Sequence, residues 1–353
     1  MSSINCHKEM KGFHTDNVTL SNKQQKIMRE RRDSGRIRLK AGLNEANYSL
    51  PKEFSSQGSY AMRTMVQDAD CDYDIDDGVY FDVDALKNSD NEDLSPLNAR
   101  KRVKNSLKDV RLAFKATVKT NCVRQNYPAG YHIDIPVYRI NHDKNSWGDD
   151  IAIFELASGD EWIESDARAV TKWFTDEVGA ELKSGESDTS QLRRLTKLTK
   201  KFARSRTRWK NKTTSGICIT KLIVDHFVPQ QGRDDLALRK TWNEINLNLK
   251  LDSTVKHPTQ PDKNLADSGD DGVVFFQDCL DNGLSDLNIL DDDCSHDKAC
   301  KAWDEVFNTS YFVDNSSDKG ADSKSLLSSA TQVSVGLSFP DNAVIPNKPA
   351  GFA

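Results

Sequence analysis

The stretch Tyr73-Asp74-Ile75-Asp76-Asp77-Gly78 sets two carboxylates two residues apart beside residues that favour a strand. Side chains alternate along a strand. Tyr73 and Ile75 are therefore expected to face a core, while Asp74 and Asp76 point together to the other side. Two parallel carboxylates repel each other unless a cation lies between them. An all-oxygen site of this kind suits Mg²⁺, which also accepts substrate phosphate as a ligand. By itself Asp-x-Asp is a weak signal, because acidic surface turns carry it by chance.

Two further stretches strengthen it. Upstream, Gln57-Gly58-Ser59 reads as a Gly-Ser turn opening a helix, which offers backbone N–H groups, a hydroxyl and a helix dipole to a phosphate. An ordinary loop and cap would look the same. Downstream, Tyr131-His132-Ile133-Asp134-Ile135-Pro136-Val137-Tyr138 alternates strongly. Ile133, Ile135 and Val137 are expected to face inward, leaving Asp134 on the opposite face with His132 and Pro136. Strand propensity disfavours an acid there, and a neighbouring strand carrying Asp74 and Asp76 would give it a purpose. His132 reads as structural.

The surrounding pattern must bring these stretches together. After a poorly patterned opening over residues 1–19, Ser21 and Gln24 have capping-box spacing ahead of a long amphipathic helix over about 21–46. A short helix is expected over 60–66. Strands are expected over 71–75 and 79–83, separated by a tight turn at Asp76-Asp77-Gly78, with a helix over 97–116 and a strand over 132–140. From Ser165, a plausible cap, the pattern turns helical, with a basic helix over 191–209, an apolar segment over 216–227 and helices over 234–250 and 298–308. These alternatives indicate an α/β or α+β first half. Residues 315–353, rich in Ser, Asp, Asn and Pro, bury too little apolar surface to offset ordering entropy and are expected to form a flexible tail.

Composition sets outer bounds. Of 353 residues, 37% are hydrophobic and 29% charged, and the formal net charge is −5, which argues mildly against a nucleic-acid partner. No run approaches the roughly 18 apolar residues that span a bilayer, and the polar N-terminus has no signal-peptide core. Seven irregularly spaced cysteines fit reduced thiols in the cytoplasm better than a disulfide framework. Cys294, His296 and Cys300 could form part of a zinc site, but no fourth ligand stands at motif spacing, and a polar loop with incidental thiols is the plainer reading.

The order Gly-Ser, Asp-x-Asp, then a lone strand Asp is the pattern of polymerase-β-like nucleotidyltransferases. The spelling GSYAMRT, DYDIDDGVYF and YHIDIPVY resembles the DncV-like branch of the cGAS/DncV-like nucleotidyltransferases, the bacterial cyclic GMP-AMP synthases. The resemblance spans about residues 10–310 and extends to Trp162–Phe174 and to the basic helix leading into Thr214-Ser215-Gly216. It implies an α+β, bilobal molecule: a mixed-sheet catalytic core over 1–165, a helical domain over 166–314 and the tail over 315–353, with a nucleotide cleft between the first two.

By the same resemblance, Asp74 and Asp76 would hold two Mg²⁺ ions, with Mn²⁺ able to substitute. Asp134 would complete the ion that activates the attacking hydroxyl. Gln57, Gly58, Ser59, Lys201 and Ser215 would meet the donor triphosphate, and Asp262 a base or ribose. The reaction implied is phosphoryl transfer from ATP and GTP by two metals, roughly 3.5–4 Å apart in such sites, giving a cyclic oligonucleotide, a purine dinucleotide of the cyclic GMP-AMP kind, for antiphage signalling. The segment between Asp134 and Lys201 is shorter than in the best-known members, so no acceptor-base contact carries over. A template-independent enzyme extending RNA or tRNA ends would use the same aspartates, and a degenerate binding fold is a third reading. The basic helix reads as a solvated face, a triphosphate wall or, least well for want of interleaved aromatics, a nucleic-acid surface. The resemblance also raises conjugation of Ala353 to targets by a ubiquitin-transfer-like partner, against the plain reading of an idle terminus.

Overall fold

A computed structural model describes residues 4–67, 73–144, 146–183 and 190–316. Its centre is an eight-stranded mixed sheet of β1 (Glu53–Gln57), β2 (Asp74–Asp82), β3 (Thr117–Val118), β4 (Val123–Asn126), β5 (His132–Ile135), β6 (Val137–Lys144), β7 (Asp150–Ser158) and β8 (Glu161–Glu164), ordered β3-β4-β5-β2-β6-β7-β8 with β1 paired to β2. Ile75, Val79 and Phe81 of β2 pack with Ile133, Ile135 and Val137 beneath two helices, α2 (Asn22–Glu45) and α4 (Pro96–Ser106), while the short α3 (Gly58–Ala61) packs on β2. The capping box that opens α2 is present: Gln24 N donates to Ser21 Oγ at 3.2 Å, and Ser21 N donates to Gln24 Oε1 at 3.1 Å. Gly42 lets α2 and α4 touch, since a Cβ there would lie 2.1 Å from the Ser106 carbonyl oxygen.

A second hydrophobic cluster is built from helices: α1 (His7–Phe13), α5 (Ala167–Lys183), α6 (Gln191–Ala203), α7 (Gly216–Asp225), α8 (Asp234–Leu251), α9 (Asp271–Asp286), α10 (His296–Phe307) and α11 (Tyr311–Asp314). A small hairpin of β9 (Val255–Lys256) and β10 (Asn264–Ala266) attaches to it. Phe202, Trp242, Trp303 and Phe307 form its aromatic centre. The α+β class and the helical C-terminal region agree with expectation.

Several local readings differ, each for a physical reason. Asp76-Asp77-Gly78 is not a turn: β2 runs straight through it. Asp77 is neutralised by Arg36 of α2, whose Nε donates to Asp77 Oδ2 at 2.8 Å, and Gly78 is needed because a Cβ would meet Gln57 Oε1 at 2.8 Å and the Tyr80 ring at 2.9 Å. The strand expected over 132–140 breaks at Pro136, and its two parts pair in parallel with successive halves of β2. The helix expected to reach residue 116 ends at Ser106, beyond which Val110 is fully exposed. Asp166, rather than Ser165, accepts from the Ala169 N–H at the start of α5. The poorly patterned opening forms α1 from His7, because Cys6, Met10 and Phe13 bury one face in the helical cluster rather than on the sheet. Helix α9 and the hairpin of β7 and β8 lay outside the sequence reading. The start of the expected strand at Cys71 and nearly all of the tail, including Ala353, lie outside the described residues.

Candidate active site

The parallel register of β2 and β5 sets Asp74 beside His132 and Asp76 beside Asp134. Alternation then aims Asp74 and Asp76 to one side and Asp77 to the other, as the sequence period requires. One ligand atom each from Asp74, His132 and Asp134 lies within 4.8 Å of the others, close enough for this acidic group to hold a metal ion. Asp76 stands outside that trio but against it: its carboxylate rests on the backbone of Gly58, where a Cβ would lie only 2.3 Å from Asp76 Oδ2. Gly58 also has φ +62°, a left-handed conformation that favours glycine. The Gly-Ser turn and the Asp-x-Asp strand therefore fit each other residue by residue.

The electrostatics show what the site lacks when only protein is present. Burial, then the Asp134 charge, pushes the Asp74 carboxyl up, and burial, then Asp74 and Asp134, pushes Asp76 up well above the usual carboxylate range. Crowded acids whose ionised forms are disfavoured fit a hard divalent cation, which would supply the missing positive charge. Asp134, fully buried, is held by Arg124 of β4, with Nε to Oδ1 and Nη2 to Oδ2 both at 2.7 Å. This two-pronged pair fixes the carboxylate plane. His132 Nε2 sits 3.8 Å from both Asp74 and Asp134, buried and with no hydrogen-bond partner among the described residues.

Opposite the carboxylates the cleft is closed by the helical cluster. Gln57, Gly58, Ser59, Asp74 and Asp76 line one wall; Lys200, Arg204 and Gly216 line the other. Lys200 Nζ donates to Thr64 Oγ1 at 3.0 Å, and burial, reinforced by Arg204, lowers its pKa to about 7. Lys197, three residues earlier, is lowered to about 8, by burial and then Arg193. A basic wall of buried Lys200 and exposed Arg204, set against half-buried Asp74 and Asp76, is arranged for a ligand that bears negative charge and brings cations with it.

The comparisons agree with this geometry. The family described as "Cyclic GMP-AMP synthase DncV-like, nucleotidyltransferase domain" matches residues 52–138, the span from β1 through Asp134. Over residues 52–138 the chain carries a domain like that of the DncV-like nucleotidyltransferases. A cyclic GMP-AMP synthase from Escherichia albertii is 26% identical over 258 residues, 69% of this chain and 52% of the relative, so the chain spans about half the length of the curated relative it matches. The crystal structure of the Vibrio cholerae DncV cyclic AMP-GMP synthase with the linear intermediate 5′ pppA(3′,5′)pG superposes with TM-score 0.68 at 17% identity, covering 87% of this chain and 96% of that one. The Bradyrhizobium diazoefficiens CD-NTase CdnG bound to GTP gives TM-score 0.63 at 13% identity, covering 88% and 96%. These structural likenesses establish the fold.

The residues singled out from sequence fall in three groups. Asp74, Asp76, Asp134, Gly58 and Ser59 converge. Gln57 reaches the cleft, but its side chain is taken up below it, donating through Nε2 to the Tyr138 hydroxyl at 3.1 Å and accepting from the Tyr80 hydroxyl at 3.2 Å. Lys201, Ser215 and Asp262 do not line the cleft among the described residues. Lys201 Nζ donates to the Gln67 carbonyl at 3.2 Å, Ser215 caps α7 by accepting from Cys218 N at 3.3 Å, and Asp262 is exposed beside the small hairpin. Their neighbours Lys200 and Gly216 occupy the wall instead. Arg124 was not singled out, His132 was read as structural, and Lys200 and Arg204 were read only as members of the basic helix. The signal for the last two was present: Arg193, Lys197, Lys200 and Arg204 recur at spacings of four and three, one face of a helix. No helix among the described residues is long and apolar enough to cross a membrane.

Proposed function

We propose that the protein is a Mg²⁺-dependent nucleotidyltransferase that joins ATP and GTP into a cyclic purine dinucleotide of the cyclic GMP-AMP kind, used as a second messenger in bacterial antiphage defence. The observation that carries the reading is the β2–β5 register, which sets Asp134 beside Asp76 and within metal-ligand reach of Asp74 on the wall of a cleft whose far side is basic. The likeness to a cyclic GMP-AMP synthase and to a DncV structure bound to a linear pppApG supplies the product class.

Asp74, Asp76 and Asp134 would hold the Mg²⁺, two ions by the family pattern, with Mn²⁺ as a substitute; when bound, the metal lowers the pKa of an attacking ribose hydroxyl and neutralises the leaving pyrophosphate. The chain's own residues do the positioning. Arg124 holds the Asp134 carboxylate in a fixed plane through its two hydrogen bonds. Gly58 and Ser59 present backbone N–H groups and a hydroxyl to the donor phosphates from the turn that touches Asp76. Lys200 and Arg204 lie across the cleft, where a triphosphate would restore full charge to Lys200. This is alignment and charge compensation rather than covalent catalysis. A second transfer, with the linear product's own triphosphate as donor, would close the ring.

The test is incubation with ATP, GTP and Mg²⁺, phosphatase treatment and mass spectrometry. A phosphatase-resistant cyclic dinucleotide from wild-type protein, absent with Asp74→Asn/Asp76→Asn, is expected. A ladder of linear products on an added RNA end would instead identify an end-extending enzyme, and unaltered turnover by the double variant would remove the assignment.

A further inference from the structure

Outside the residues that line the cleft, the two ends of the described chain meet. Cys6 immediately precedes α1, and His296 and Cys300 lie one turn apart on α10. One ligand atom from each lies within 4.8 Å of the others. We propose that Cys6, His296 and Cys300 form a zinc site that clamps the N-terminal segment to the helical cluster.

The donor set suits that metal. Two thiolates and an imidazole are the ligands zinc takes in tetrahedral sites, and they discriminate against Mg²⁺ and Ca²⁺. Zinc–sulfur and zinc–nitrogen bonds of about 2.3 and 2.0 Å imply an S···N separation of about 3.5 Å across a tetrahedron. Cys300 Sγ stands 3.7 Å from His296 Nδ1. The ring's other nitrogen, Nε2, lies 3.6 Å from Glu9 Oε2, a buried carboxylate of α1. Metal-binding histidines commonly turn their second nitrogen to a carboxylate, which fixes the tautomer and strengthens the ligating nitrogen. Here Nδ1 would face the metal and Nε2–H would face Glu9.

The surroundings also ask for a cation. Both thiols are fully buried. Two carboxylates stand close by: Asp235, which accepts from Cys6 N, and buried Glu9, which faces His296. A divalent ion binding there would displace both thiol protons and offset the nearby carboxylates. The backbone is already committed: Cys6 N donates to Asp235 Oδ2 at 2.9 Å, which anchors the residue on α8. The His296 side chain keeps 24% of its surface exposed, leaving an entry path and room for water as a fourth ligand. Cys294, buried nearby in sequence, is not a member of the trio.

The experiment uses the full chain carrying Asp74→Asn/Asp76→Asn, so that the cleft does not obscure the count. The protein is purified without chelator, assayed for metal by elemental analysis, then stripped and titrated with Zn²⁺ and Co²⁺. Expected are one zinc per chain, a Co²⁺ spectrum with thiolate charge-transfer and tetrahedral bands, and an unfolding midpoint that falls by roughly 5 °C on chelation, the shift for a ligand present at about 100 times its dissociation constant. Cys300→Ser should abolish the charge-transfer band, and His296→Gln, at the partly exposed position and so safe for folding, should weaken zinc affinity at least tenfold. Two fully titratable thiols at Cys6 and Cys300 in zinc-supplemented native protein, a Cys6–Cys300 disulfide found by intact mass, or a Co²⁺ spectrum unchanged by His296→Gln would each overturn the proposal.

Discussion

Gly58→Ala tests the fit between the turn and the catalytic strand. At φ +62° a side chain costs about 1–2 kcal/mol in the left-handed region. The new Cβ would lie 2.3 Å from Asp76 Oδ2, and real Cβ contacts essentially never fall below 3.0 Å, so the carboxylate or the turn must move by at least 0.7 Å. Displacement on that scale at a reacting centre costs roughly 10²-fold in rate. The expected outcome is a kcat/KM lowered about 100-fold with an unfolding midpoint lowered by only about 2–6 °C, read by a coupled pyrophosphate-release assay and thermal unfolding on the same preparation. Gly35→Ala, inside α2 with nothing nearer than the Arg38 guanidinium at 3.9 Å, is the control: it should leave turnover unchanged and raise the unfolding midpoint slightly, because alanine favours a helix interior by about 1 kcal/mol. If Gly58→Ala turned over within threefold of wild type, the contact would not position Asp76, and the reasoning from close approach would fail.

Other outcomes follow from the same geometry. Lys200→Met should weaken triphosphate binding 10-fold or more, whereas Lys201→Met should change it by less than threefold; calorimetric titration with a non-hydrolysable triphosphate in Mg²⁺ decides between the neighbours. Because burial holds Lys200 at about 7 in the free protein, a bound polyanion that keeps it protonated must draw a proton from solvent above that pH. Affinity should therefore be flat below pH 7 and weaken toward tenfold per unit above it, with proton uptake detectable in buffers of different ionisation heat, and Lys200→Arg should flatten the profile. Arg124→Met leaves the buried Asp134 carboxylate without its partner, which costs about 3–5 kcal/mol; denaturant melts should show the loss, and Mg²⁺ should recover part of it.

Much of the scaffold could be read from residue order. The capping box of Ser21 and Gln24, the alternation around Asp134 and the amphipathic pattern of α8 and α10 are local, and local chemistry is what a linear pattern records. Misreadings arose where a distant partner overrode a local preference. Asp76-Asp77-Gly78 has the composition of a turn, yet Arg36 of α2 neutralises Asp77 and the Tyr80 ring occupies the space beside Gly78, so the segment stays extended. The helix over 97–116 was read too long because Val110 and Phe114 continue its apolar period, although Val110 is fully exposed and the helix has already ended at Ser106.

By itself the amino-acid order determined that Asp74 and Asp76 share one face and that Asp134 sits on the polar side of an apolar strand, because a strand's period of two admits no other arrangement. Tertiary structure alone decided the rest. Pairing register brought Asp134 to Asp76, an adjacent strand supplied Arg124, helix rotation chose Lys200 over Lys201 for the cleft wall, and folding back of the N-terminus carried Cys6 to His296 and Cys300. Each of those depends on which surfaces bury against one another; spacing put Lys200 on one face with Arg193, Lys197 and Arg204, but only packing turned that face to the cleft.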